Sequence, residues 1–229
     1  MIIHEEKVTW AGLDREHRHL LIEDLYRSKG VTLTVFREGE ERWDVVRKDR
    51  ASPIDDAWID YSGEGAVSYD ERRGHFRADM AYALVHELSH VVYGRATNHI
   101  DPEEQELEHL CAIMALDWIM CDSIGLLGSF WNALSDYSVT EGEGIRMPDG
   151  SEWTGYLGNA SSDVVRTMMA RAFEDGVGIG VITLEEKARF DLASTKDDWR
   201  STRFQEITIT RRNSATNTAT VLGSNHGKR

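Results

Sequence analysis

Hydrophobic positions along this chain repeat with a helical period, then alternate, then become helical again. Behind the capping residue Asp14, Leu20, Leu21, Leu25 and Tyr26 recur at helical spacing, and Gly30 ends the run. VTLTVF (31–36) alternates and is rich in β-branched residues, so it reads as a strand. WDVV (43–46), AWIDYS (57–62) and AVSYD (66–70) read as further strands, with a loop at 50–56 around Pro53. A helix is predicted over about 75–93, stopped by Gly94. Asp101, Pro102, Glu103 and Glu104 then form a helix start, with a capping acid, a proline in the first turn and carboxylates at the positive end of the dipole. That helix runs to about 121, and a short one follows near 127–136. Residues 143–157 read as a hairpin turned by Pro148, Asp149 and Gly150. Helices are predicted at 161–176 and, capped by Thr183, at 184–199. After about 205 the chain becomes polar and rich in Ser, Thr and Asn, although ITITRR (207–212) and TATVL (218–222) are able to pair as strands.

This order of elements predicts an α+β fold with a small, mostly antiparallel sheet packed on the 75–93 helix and a second helix after it. The expected organisation is a single domain over 1–205, with its core at about 14–121 and a helical and hairpin annex at 122–205, then a polar tail at 206–229. A length of 229 residues suffices for one good core. Against 26 Lys and Arg stand 40 Asp and Glu, a net charge of −14 that repels a phosphate backbone and disfavours direct nucleic-acid binding. The basic residues Arg211, Arg212, Lys228 and Arg229 gather near the end. The first ten residues, MIIHEEKVTW, do not read as a signal peptide, and no apolar run is long enough to span a membrane. The two cysteines, Cys111 and Cys121, fall on one predicted helix about 15 Å apart, too far to bridge. Free thiols without an export signal point to the cytoplasm.

Within AYALVHELSHVVYG (81–94), the apolar residues Leu84, Val85, Leu88, Val91 and Val92 mark a core helix. His86, Glu87 and His90 are costly in such a helix unless something pairs with them. His86 and His90 lie four apart, which places both imidazoles on one face, one turn from each other. Two neutral imidazoles so placed suit Zn²⁺, and Glu87, on the same turn, is positioned to take a proton from a water in the open coordination position. This is the H-E-x-x-H arrangement. The alternative is a pair of core histidines satisfied by backbone carbonyls.

A catalytic zinc takes three protein ligands, so a third must come from elsewhere. The next helix offers Glu103, Glu104, Glu106, Glu108 and His109. Glu108 is favoured, because Cys111, Ala112 and Ala115 on its side are small enough for close approach of two helices. Glu106 is the rival, Glu104 is explained by capping, and His109 is also able to ligate. Tyr82, Tyr93, His75, His99 and Tyr156 are possible oxyanion donors, each better explained by packing or exposure.

A helix, a short sheet, an HExxH helix and a second helix bearing a glutamate together resemble a minimal zincin of the gluzincin type, and more narrowly the ImmA/IrrE family of metallopeptidases. The HELSH core (86–90) matches that family's HELGH-like core, with Ser89 where glycine is usual. From Glu108, Cys111, Met114, Ala115, Trp118 and Ile119 match the size pattern of its second helix; the same offsets from Glu106 fit less well. The usual Asn or Asp four residues after the ligand glutamate is replaced here by Ala112. The resemblance covers about 14–121.

It implies zinc held by His86, His90 and Glu108, Glu87 as general base, and a protein or peptide substrate such as a regulator of a phage or mobile element. Competing expectations are a non-proteolytic protein-binding molecule on the same scaffold, a zinc-free structural protein, and a zinc amidase acting on a cell-wall peptide.

Overall fold

A computed structural model of the chain describes residues 3–36, 57–60, 66–70, 78–97, 107–139, 144–197, 199–200, 206–212 and 220–222. Among these residues the fold is α+β and mostly helical, with six α-helices and ten strands. The chain divides into two compact units. One comprises Met1–Val91, Ser123–Gly125 and Gln205–Arg229; the other comprises Val92–Asp122 and Leu126–Phe204. The expected strand at 43–46, the loop at 50–56 and the helix start at 101–104 lie outside the described residues.

In the first unit, strand β1 (Ile3–Thr9) leads to helix α1 (Arg15–Ser28). Asp14 caps α1 as its sequence position demands, its carboxylate accepting the backbone N–H of His17 at 2.9 Å. Gly30, at φ 64°, supplies the left-handed residue past the helix end. One face of α1 is core: Leu21, Ile22, Leu25 and Tyr26 are all buried. Strands β2 (Leu33–Phe36), β3 (Ala57–Asp60) and β4 (Ala66–Asp70) follow, three of the expected segments. β4 is central, parallel to β2 and antiparallel to β3, so this small sheet is mixed.

The sequence pattern did not single out β1. Its run IHEEKVT has no alternating apolar face, and its partner is far along the chain. That partner is β9 (Glu206–Arg212), which pairs antiparallel with β1 from Ile3–Arg212 to Thr9–Glu206. β10 (Thr220–Leu222) pairs with the other edge of β9. The two polar segments able to pair as strands do so, and the region expected as a tail opens with the middle strand of a sheet.

Helix α2 (Ala78–Thr97) carries HELSH. It runs through Gly94 rather than stopping there: Gly94 is not among the glycines with positive φ, and Thr97 Oγ1 donates to the Tyr93 carbonyl at 2.9 Å inside the added turn. The boundary between the two units falls within α2, after Val91.

In the second unit, α3 (Leu107–Ser123) is the most enclosed element, with every residue from Cys111 to Asp122 buried. Such burial on all sides is that of a central core helix. The other helices of this unit are α4 (Leu127–Ala133), α5 (Ser162–Gly178) and α6 (Leu184–Ser194). Trp118 of α3 meets Phe173 of α5 and Phe190 of α6 edge to face at 5.6 and 5.5 Å, and those two phenylalanines stack at 4.3 Å. Trp199 packs on Trp131 and donates its Nε1–H to Ser162 Oγ at 3.0 Å. Trp118 and Trp131 are thus core aromatics.

The remaining strands are two-residue pieces: β5 (Ser138–Val139) pairs with β8 (Gly155–Tyr156), and β6 (Ile145–Arg146) with β7 (Glu152–Trp153), all antiparallel. The β6–β7 turn is the predicted one: Gly150 N–H donates to the Met147 carbonyl at 2.9 Å, and Gly150 takes φ 84°. α6 starts at the expected cap but ends at Ser194 rather than near 199. Ser194 and Thr195 turn their hydroxyls back onto the carbonyls of Asp191 and Leu192, which offers the backbone an alternative to further helix. No helix among the described residues is long and apolar enough to cross a membrane.

Candidate metal centre

The apolar stripe of α2 comprises Ala81, Leu84, Val85, Leu88 and Val91, all buried; Val92, expected with them, is half-buried. His86, Glu87 and His90 are half-buried too, which places them at the border of the core rather than within it. At about 100° per residue, Tyr82, His86 and His90 fall on one strip of the helix beside the buried stripe, with Glu87 a further part-turn round. Burial alone therefore costs these side chains less than the apolar context implied. Ser89 is the polar residue that is truly enclosed, and its hydroxyl donates to the Val85 carbonyl at 3.1 Å.

The two imidazoles converge. His86 Nε2 and His90 Nε2 are 3.1 Å apart, and the rings meet edge to face with centroids at 4.6 Å. Two nitrogens sharing a tetrahedral zinc at about 2.0–2.1 Å lie about 3.3–3.4 Å from each other. The pair therefore fits one ion with a movement of a few tenths of an ångström. The same separation lets one neutral ring donate its Nε2–H to the other, which satisfies both nitrogens in the metal-free chain.

Tyr82, one of the possible oxyanion donors, sits one turn before His86 on α2. Its ring lies alongside that of His86, with centroids at 6.1 Å and planes 24° apart. An aromatic residue one turn before the first histidine was the available signal. Tyr93, one turn beyond His90, meets His109 edge to face at 4.6 Å. Tyr156 is largely exposed on β8.

The structure brings His86 and His90 together. Glu108 lies in the first turn of α3, but its side chain is outside the described residues, as are Glu103, Glu104, Glu106, His75 and His99. Among the described residues, no group of three or more His, Cys, Asp and Glu is placed to hold one metal ion. Cys111 and Cys121 are both buried free thiols on α3.

No protein-family model matches the chain, and neither a curated protein nor a solved structure matches it.

Proposed function

We propose that the chain is a zinc-dependent metalloendopeptidase of the zincin type, similar to the ImmA/IrrE family, that cuts a peptide bond in a specific protein. The observation that carries this reading is the convergence of the His86 and His90 Nε2 atoms on one strip of α2, with Glu87 on the same turn. In this reading His86, His90 and Glu108 hold the ion. When bound, zinc supplies Lewis acidity and lowers the pKa of water toward about 7. Glu87 accepts the proton as the water oxygen bonds to the scissile carbonyl carbon. It then delivers that proton to the amide nitrogen as the carbon–nitrogen bond breaks. Glu87 is dispensable for holding metal, so its presence favours hydrolysis over a purely structural zinc.

Elemental analysis of the purified chain beside His90→Ala and Glu108→Ala tests the site. About one zinc per chain in wild type, lost in both variants, is the expected result. Loss in His90→Ala alone moves the third ligand to Glu106, Glu104 or His109. No zinc in any sample, even after reconstitution, leaves the second reading: a metal-free histidine pair closed by its own Nε2–H···Nε2 bond, which the 3.1 Å separation favours. Glu87→Gln then tests the chemistry. Zinc retained with hydrolysis of the target abolished is expected, whereas a biological effect that survives the change points to a protein-binding scaffold instead.

A further inference from the structure

We infer that Tyr82 is a positioning residue for this pair: its ring holds His86 in the orientation that brings Nε2 to His90, and so raises affinity for a divalent metal ion. The inference rests on the metal reading above. Side chains on a helix lean toward its N-terminus, so His86 lies over the turn of Tyr82, and His90 over the turn of His86. The observed rings follow that order. Tyr82 and His86 lie nearly parallel, at 24°, while His90 stands at 87° to His86 and meets it edge-on. The three residues belong to one helix and one compact unit.

A half-buried histidine keeps rotamer freedom that a metal site must remove. The Tyr82 ring closes the N-terminal side of His86, against which that imidazole would otherwise swing. It does so with a side chain of only two rotatable angles before its hydroxyl, which itself loses little entropy. Hydrogen-bonded groups that orient a metal ligand without touching the metal typically change affinity by about 10–100-fold, and a ring that only packs beside the imidazole belongs at the low end of that range. The effect is assigned to the ring, the part that lies alongside His86.

The test uses the full chain with zinc alone, titrated against a chromophoric chelator, and the visible absorption of the cobalt(II)-loaded protein. Tyr82→Phe keeps wild-type affinity and the wild-type cobalt band. Tyr82→Leu, which preserves bulk but not the flat ring, weakens zinc binding roughly tenfold and shifts the band. In the metal-free chain, the imidazole ¹⁵N resonances of His86 move in Tyr82→Leu while those of His17, on α1, do not, which reads orientation apart from folding. Wild-type affinity and unmoved resonances in Tyr82→Leu would overturn the inference and leave the metal site standing. Equal loss in Tyr82→Phe and Tyr82→Leu would also overturn it, by assigning the effect to the hydroxyl. A wild-type chain that binds no zinc, with His90→Ala indistinguishable from it, removes the metal reading and the inference together.

Discussion

The phenol of Tyr26 on α1 donates a hydrogen bond to the backbone carbonyl of Leu84 on α2 at 2.6 Å, both groups being buried. Leu84 stands two residues before His86, so this bond ties α1 to the helix that carries the histidine pair. A buried tyrosine needs a partner for its hydroxyl, and a carbonyl has a second lone pair to offer after its helical bond is made.

Tyr26→Phe keeps the ring and removes this bond. A net loss of about 1 kcal/mol in unfolding free energy is expected, typical of one intramolecular hydrogen bond. In urea the midpoint falls while the slope stays constant. An unchanged midpoint would show that the hydroxyl makes no net contribution at this contact.

Arg189 of α6 forms an ion pair with Asp122 near the end of α3; the carboxylate side chain is 9% exposed and the guanidinium side chain 40%. Removing the cation leaves a buried carboxylate, but the half-open arginine side means the cost is well below that of a fully buried pair. Arg189→Met is expected to destabilise by about 1–2 kcal/mol, and Asp122→Asn by a similar amount. If the pair acts as a unit, the double variant is more stable than the sum of the single effects allows. Strict additivity in the thermodynamic cycle would show that the two charges are not coupled.

What could be read from the sequence was chiefly what neighbouring residues decide among themselves. Asp14 and Thr183 cap their helices because a side-chain oxygen three residues before an N–H suffices. The turn at Pro148–Gly150 is held by Asp149, whose carboxylate accepts from both the N–H and the hydroxyl of Ser151, and these bonds lower its pKa. Tertiary partners decided the rest. The β1–β9 pairing joins segments about as far apart in sequence as the chain permits, and although Ile207 and Ile209 alternate in β9, β1 has no such face to announce its partner. The passage of α2 through Gly94 accompanies the seating of Tyr93 on His109, which no local pattern contains. Spacing predicted that the two histidines of HELSH share a face. It did not predict that they lie at the border of the core, because that depends on how far the buried stripe extends.

Thr183 and Glu186 form a reciprocal capping box at the start of α6: Thr183 Oγ1 accepts from Glu186 N–H at 3.2 Å, and Glu186 Oε2 accepts from Thr183 N–H at 2.8 Å. Thr183→Ala is expected to cost about 1 kcal/mol, with Thr183→Ser close to wild type. Amide hydrogen exchange should accelerate first in the opening turn of α6. Uniform acceleration across the second unit, with none particular to that turn, would mean that the box does not hold the helix end by itself.

Burial raises the Cys121 thiol well above its ordinary pKa, and the charges of Asp117 and Asp122 push it in the same direction. Both cysteines are buried, so neither should react with a disulfide reagent in the folded chain at about pH 8, and both should react after unfolding. The linkage has a definite sign. Because the folded-state pKa lies above the unfolded one, the contribution of Cys121 to stability is complete below about pH 8.5 and declines as pH rises toward the folded value. Cys121→Ala lowers stability at every pH by the cavity it leaves, but it removes this decline. Lysine and tyrosine titrations are common to both proteins, so the urea midpoint of wild type should fall further between about pH 8.5 and pH 10 than that of the variant. Equal falls in the two would exclude the enclosed thiol as a source of alkaline instability.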